Sequence, residues 1–304
     1  MTQGPIRLLA VGSVAFDSVK TPFGQADRVV GGSATYFSLA ASYFADVAIV
    51  AVVGEDFREE HFRPFIEKGI DFRQVQRAKG KSFYWAGDYG ANLNEAKTLT
   101  TELNVFADFQ PEIHPDYRRT PVLFLGNIDP VLQNHVLDQV ERPRLTALDT
   151  MNYWIQSRPR ELAAVLGRID ILFVNETEAR MLTGEYHLLR ALRRIASMGP
   201  RTVVVKRGEY GALVYQEGEL FIAPAYLMDE VFDPTGAGDC FAGGFMGYLA
   251  SVPECDFPAL RQAVLYGTTM ASFNIESFSV ERLRSLTFPE IRERCERFHR
   301  MITV

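Results

Sequence analysis

Along most of the chain, short runs of aliphatic and β-branched residues alternate with segments whose apolar positions recur at helical spacing. Ile6–Val11, Ala48–Val53, Val122–Leu125, Leu145–Leu148, Ile171–Val174 and Thr202–Val205 are apolar runs of strand length. Between them lie predicted helices. Ser33–Phe44 carries Phe37, Ala40, Ala41 and Phe44 on one face, and Asp56–Lys68 is closed by Gly69. Pro130–Val140, Pro159–Arg168 and Asn175–Met198, the last interrupted near Gly184, complete the set. Apolar strands each followed by a helix predict an α/β fold, with a mainly parallel sheet between two helical layers. From Gly236 onward the pattern is almost wholly helical.

One stretch departs from this rhythm. Between Gly69 and Pro111 the chain turns to aromatic-rich alternating runs, Ser82–Gly87 and Thr98–Phe106, which predict antiparallel strands. Phe16–Val30 is a candidate to join them. A small β-sheet lid, with its strands within residues 16–30 and 80–108, accounts for these segments; a surface hairpin without a gating role is the plainer alternative. No tandem repeat or low-complexity linker interrupts the pattern, so residues 1–304 read as a single domain.

Composition narrows the functional classes. With 304 residues, 47% of them hydrophobic, the chain has ample material for a large core. A net charge of -6 argues against a nucleic-acid partner. Cys240, Cys255 and Cys295 form no CxxC pair, so neither a disulfide framework nor a zinc ribbon is expected. The five histidines form no HxH or HxxxH pair, which argues against a transition-metal site. There is no signal-peptide layout and no long apolar stretch, so a cytoplasmic protein without membrane association is expected.

The segment richest in chemistry is Asp233-Pro234-Thr235-Gly236-Ala237-Gly238-Asp239-Cys240-Phe241-Ala242-Gly243-Gly244-Phe245. It predicts a tight turn feeding a helix. Gly236 and Gly238 leave backbone amides uncovered, and the helix start turns its free N–H groups toward the turn. Such a place can hold an anion, including a phosphoryl group in transfer. Asp239, in the first helical turn, is positioned to accept the proton of an attacking hydroxyl. On shape alone, a helix-capping aspartate beside structural glycines is an equally good reading. The chain has no GxxxxGK[ST] loop, and Phe241 stands where a dinucleotide GxGxxG would need its third glycine.

This segment resembles the C-terminal motif of the ribokinase-like (PfkB) carbohydrate kinases. The resemblance implies a ribokinase-like three-layer α/β/α fold with a small β-sheet lid, and an ATP-dependent kinase acting on the hydroxyl of a sugar or sugar derivative. It implies Asp239 as catalytic base, with Gly236, Ala237 and Gly238 as the anion hole. Asn175 and Glu178, in Asn175-Glu176-Thr177-Glu178, resemble the family's NxxE region, implying that Glu178 holds Mg2+ through water on the ATP side. An acid-rich helix start is the bland reading of the same residues. Lys206, Gly208 and Gly211 resemble the nucleotide-side turn, and a plain hairpin turn is the alternative there.

Toward the N-terminus the match is partial. Asp17 falls at the family's substrate-contacting aspartate, and Gly32, Ser33 and Tyr36 fall in its diglycine motif. Ala15 and Tyr36, however, stand where the family usually has asparagine. The lost polar contacts put the acceptor in question, and a Tyr36 ring, with Tyr84 or Trp85, offers a stacking surface for a base. Asn127, Asp129, Asp149 and Asn152 follow predicted strands and are minor site candidates. Asp233 and Ser272–Glu276 are compatible with a monovalent-cation loop, and a homodimer is compatible with the family. Two rivals follow: a nucleoside kinase of the same fold, and a non-catalytic sensor of sugar or nucleotide.

Overall fold

The computed structural model describes residues 7–303. Ile6, assigned above to the first strand, lies outside them. β1 (Leu8–Val11) leads through β2 (Ala15–Thr21) and β3 (Gly24–Gly31) to α1 (Ser33–Ala41). β4 (Val47–Val53), the short α2 (Arg63–Glu67) and β5 (Asp71–Arg77) follow. Next come β6 (Phe83–Tyr89), β7 (Ala96–Glu102), β8 (Val122–Leu125), α3 (Pro130–Leu137), β9 (Leu145–Asp149), α4 (Asn152–Ser157) and α5 (Pro159–Leu166). β10 (Ile171–Asn175), α6 (Glu176–Thr183), α7 (Leu188–Ala196), β11 (Thr202–Lys206), β12 (Ala212–Gln216) and β13 (Glu219–Ala223) precede the terminal helices. These are α8 (Ala237–Ser251), α9 (Phe257–Asn274), α10 (Glu281–Ser285) and α11 (Phe288–Ile302).

The large sheet has nine strands in the order β13-β12-β11-β10-β9-β8-β1-β4-β5. The seven from β11 to β5 run parallel, and β12 and β13 add an antiparallel edge. Its strands are apolar on both faces because helices cover both. In β1, Leu8 and Ala10 enter the core shared with Phe37, Phe124 and Phe245, while Leu9 and Val11 enter the opposite core with Leu162, Leu192 and Ile195. Helix α8 is held between α1 and α9 at very short range. A Cβ at Gly243 would lie 2.3 Å from the Phe37 carbonyl oxygen, and one at Gly244 would lie 2.8 Å from that of Tyr266.

The second sheet, β3-β2-β6-β7, is the predicted lid. Two expectations need correction. β2 and β6 pair in parallel, joining two hairpins side by side, so the lid is not purely antiparallel. Asp71–Arg77, to which no strand was assigned within the Gly69–Pro111 stretch, is the edge strand of the large sheet, so that stretch does not wholly leave the parallel pattern. The predicted helix Asp56–Lys68 reduces to a 3-10 turn at Glu59–Phe62 and the short α2. The Asp56 carboxylate accepts from the Ser82 amide and hydroxyl and pairs with Arg28, so it does not cap a helix. The predicted Thr98–Phe106 strand stops at Glu102, where Asn104 takes a positive φ and a 3-10 turn begins.

Candidate active site

Three neighbouring strands of the large sheet end together beneath α8. β9 ends at Asp149, β10 at Asn175 and β11 at Lys206, with Asn175 directly across from Lys206. The Lys206 side chain reaches past β10, and its Nζ donates to Asp149 Oδ2 at 2.7 Å. Asp149 Oδ1 accepts from the Thr150 amide at 3.0 Å. At the start of α6, Asn175 and Glu178 form a reciprocal cap. Glu178 N–H donates to Asn175 Oδ1 at 2.8 Å and Asn175 N–H to Glu178 Oε2 at 2.7 Å. The bland reading of these acids is therefore realised as well. Yet Glu178 is buried and faces the Lys206 ammonium, which a solvent-exposed cap would not do.

The turn at 233–239 stands over this cluster. Asp233 is 1% exposed and accepts from the amides of Thr235 at 2.9 Å and Ser279 at 3.1 Å. Gly236 sits in the left-handed region at φ 75°, and a Cβ there would meet the Tyr36 ring at 2.3–2.5 Å, so no other residue fits without displacement. The amides of Gly236, Gly238 and Asp239 have no acceptor among the described residues. The Ala237 amide donates to the Pro234 carbonyl at 3.1 Å and is withdrawn from the anion hole predicted above. Lys206 Nζ lies 3.2 Å from the position a Cβ on Gly238 would take, so the ammonium is beside the open amides. Asp239 is partly open, and its carboxylate makes no hydrogen bond among the described residues.

On the lid side, Asp17 is buried in β2, its carboxylate lying against Gly31. Ser33 is occupied in tying α1 to the end of β1: its Oγ accepts from the Ser13 amide at 3.2 Å and its amide donates to Ser13 Oγ at 3.0 Å. Gly32 caps α1 next to it. Tyr36 corrects the prediction. It is 1% exposed, its ring lies beneath Gly236, and it offers no stacking surface. Its hydroxyl is buried near Asp17 without a hydrogen bond of good geometry. Tyr84 stands with Phe16 under Arg28, on the face away from Asp17. Trp85 is the direct neighbour of Asp17 across β2–β6, so it shares Asp17's face, and its indole lies over Gly87.

Tyr89, two positions farther along that face, was missed; its hydroxyl lies 3.4 Å from Thr235 Oγ1. Strand alternation from Trp85 would have found it. Of the minor candidates, Asp149 joins the site. Asp129 caps α3 and pairs with Arg158, Asn152 is exposed on α4, and Asn127 keeps a buried, unpartnered Oδ1.

A cavity of about 590 Å³ opens beside the turn, lined by Asn175, Lys206, Gly208, Gly211, Gly238 and Thr268 among others. Arg207, also unpredicted, lies on its rim with Nε 2.8 Å from Glu176 Oε2.

Charge is concentrated here. Burial, then the Asp149 carboxylate, pushes Asp239 up to about 8 against the pull of Lys206. Burial raises Glu178 and Asp17 to about 7 each. Burial opposes the Lys206 charge, but Asp149, Glu178 and Asp239 outweigh it and hold the ammonium above its ordinary value. The carboxylates outnumber the cation, so the site is built to receive more positive charge. Among the described residues no three His, Cys, Asp or Glu side chains form a metal cage. Asn175 and Lys206 line the cavity, and the Glu178 carboxylate lies next to both, so a single nearby carboxylate fits a Mg2+ ion that keeps most of its water.

This arrangement sets a pH dependence of stability. Asp17, Glu178 and Asp239 keep protons in the folded state that the unfolded chain, at its ordinary carboxyl values, has already released. Stability therefore falls as pH rises from about 6.5 to about 8.5. The opposing contribution of His61, whose pKa burial lowers from 6.5, extends only into the lower part of that window, where the unfolded imidazole still holds part of its proton. A melting temperature that declines by several degrees over this interval without ligand, and less with Mg2+ and an ATP analogue, is expected; calorimetry showing a flat or rising curve would contradict it.

The sequence profile described as "pfkB family carbohydrate kinase" matches residues 10–284. A cytidine kinase of Thermococcus kodakarensis is 31% identical over 266 residues, covering 84% of this chain and 94% of that protein. The nucleoside kinase of Methanocaldococcus jannaschii superposes with a TM-score of 0.77 at 18% identity, covering 97% of this chain and 100% of that one. An E. coli protein described as a ribokinase II, solved with ATP and Mg2+, superposes with a TM-score of 0.80 at 16% identity, covering 96% of this chain and 99% of that one.

Proposed function

The chain belongs to the PfkB family of carbohydrate kinases and is an ATP-dependent kinase of a sugar or nucleoside; from that premise we propose the roles of its residues and the class of its acceptor. The observation that carries the proposal is the Asp239 carboxylate, unbonded, beside the open amides of Gly236 and Gly238 and the Lys206 ammonium. The acceptor hydroxyl lies between Asp17 and Asp239, and ATP lies in the cavity beyond the turn. The hydroxyl oxygen attacks the γ-phosphorus, its proton passes to Asp239, and the bond to the departing ADP oxygen breaks. The Gly236, Gly238 and Asp239 amides and Lys206 receive the charge that develops on the phosphoryl oxygens. Glu178 would hold Mg2+ through water, and the ion, when bound, would supply further charge compensation on the phosphates.

The acceptor reading favours a nucleoside. Ala15 offers no polar group, and Tyr36 is sealed below the turn, so Asp17 is the recognised family position left to accept from hydroxyls. Beside it, the flat Trp85 indole over Gly87 offers a stacking face for a base. The cytidine kinase relative supports the same acceptor class.

Three further points belong to this reading. Residues 1–304 form one kinase domain, in the cytoplasm, where the three free cysteines are at home. A homodimer would use the exposed lid edge at β7, where Leu99 faces outward. Asp233, buried with amide donors and no Lys, Arg or His partner among the described residues, fits a monovalent cation bound nearby.

A coupled ADP-release assay with Mg2+ and ATP over nucleosides and free sugars, run with K+ or tetramethylammonium, tests these assignments. Nucleosides are expected to give the higher kcat/KM, with K+ required for full rate. Trp85→Ala is expected to raise the nucleoside KM about 10-fold or more, the size of one lost stacking contact. Sugars as the better acceptors, unaffected by Trp85→Ala, would rule the nucleoside reading out.

A further inference from the structure

The acceptor-side lid does not stop at the acceptor. The tip of its β6–β7 hairpin crosses the cleft and meets the nucleotide-side turn between β11 and β12. Asn94 Nδ2 donates to Glu209 Oε1 at 2.8 Å, and the Glu209 amide donates back to Asn94 Oδ1 at 3.1 Å. Asn94 is itself preset by Asn92, whose Oδ1 accepts from the Asn94 amide at 3.1 Å and from its side chain at 3.2 Å. Gly208, at φ +55°, makes room for this: a Cβ there would lie 2.0 Å from Asn94 Oδ1. Ala91, Asn92, Leu93 and Asn94 thereby form one wall of the cavity whose other wall carries Lys206 and Gly238.

We infer that Asn94 is a positioning residue of the nucleotide site, supplied by the acceptor lid, and that its two-way pairing with Glu209 makes ATP binding and lid closure mutually reinforcing. The inference rests on the kinase reading above. The physical argument is one of enclosure. A hydrogen-bonded pair at an exposed position contributes little by itself in water. Here the pair joins two walls of one cavity, so a nucleotide that contacts both walls favours the joined state over the open one. By linkage, the joined state binds nucleotide more tightly. The same hairpin carries Trp85 and Tyr89 toward Asp17 and Asp239, so closing its tip also orders the acceptor end.

The test is the affinity of a non-hydrolysable ATP analogue with Mg2+, measured by calorimetry without acceptor. It is run on the wild-type protein, Asn94→Ala, Glu209→Ala and the double variant, together with backbone hydrogen exchange across residues 83–102. Wild-type protein is expected to bind the analogue and to slow exchange in the hairpin. Each single variant is expected to bind about 5- to 20-fold more weakly, the double variant no more weakly than the singles, and exchange in the hairpin to become insensitive to the analogue. Losses that multiply in the double variant, or variants that bind and protect as the wild type does, would overturn the inference while leaving the kinase reading intact. Failure of the wild-type protein to bind the analogue at all would instead remove the kinase reading and the inference with it.

Discussion

Asp239→Asn is expected to fold, to bind Mg2+ and ATP, and to lose between about 100- and 10,000-fold in turnover. The substitution keeps the side-chain shape and removes the capacity to take a proton. Because burial and Asp149 hold this carboxyl up at about 8, the unmodified enzyme is short of active base at neutral pH. Its kcat/KM for the acceptor should rise with pH toward that value, since the base works only when deprotonated. The variant should lose this pH dependence, and it should also melt at a higher temperature than the wild type near pH 8, where the native carboxylate is most strained by its neighbours. A pre-steady-state burst assay and calorimetry on the same preparations measure both effects. Turnover within a few-fold of the wild type would remove Asp239 from the role of base.

Lys206→Met carries the second largest effect, on stability and chemistry together. The lysine is the cation shared by Asp149, Glu178 and Asp239, and it stands beside the Gly238 amide. Methionine keeps the volume of the stem and leaves the buried carboxylates unpaired, a change that costs up to about 3–5 kcal/mol. The loss should be largest above neutral pH and shrink as Glu178 and Asp239, both raised by burial, take up protons. Asp149→Asn in the same chain should recover part of it, because the unpaired partner is then neutral. Phosphoryl transfer should fall as well, since a charge beside the developing anion has gone, and Asp149→Asn should not restore it. Equal stability of Lys206→Met and wild type across pH would show that the ion pair contributes nothing to the fold.

The frame of the molecule was legible because its period is simple. Runs such as Val122–Leu125 and Thr202–Val205 are apolar on both faces, and the position of Gly184 divides α6 from α7 as expected. Asp71–Arg77 escaped because an edge strand needs few apolar positions and its sequence is mostly polar. The turn at Gly236 was legible as a glycine turn with uncovered amides, but the fate of one amide was not: whether Ala237 N–H turns back to Pro234 depends on turn geometry that residue types leave open. Tyr36 was misjudged for a related reason. Its position in a diglycine motif points to the substrate, whereas its ring is directed by what lies above it, the bare Cα of Gly236, 200 residues later in the chain. The pairing of Lys206 with Asp149 depends on β9, β10 and β11 lying side by side, and that adjacency is a property of the assembled sheet.

The close seating of α8 between α1 and α9 has a consequence for how this architecture diversifies. A helix whose neighbours touch its backbone on two sides cannot tilt or slide to suit a new ligand, so the Asp239 carboxylate it carries stays at a fixed height above the strand ends. Adaptation to other alcohols is left to the four-stranded sheet, whose residues can be exchanged without disturbing that clamp.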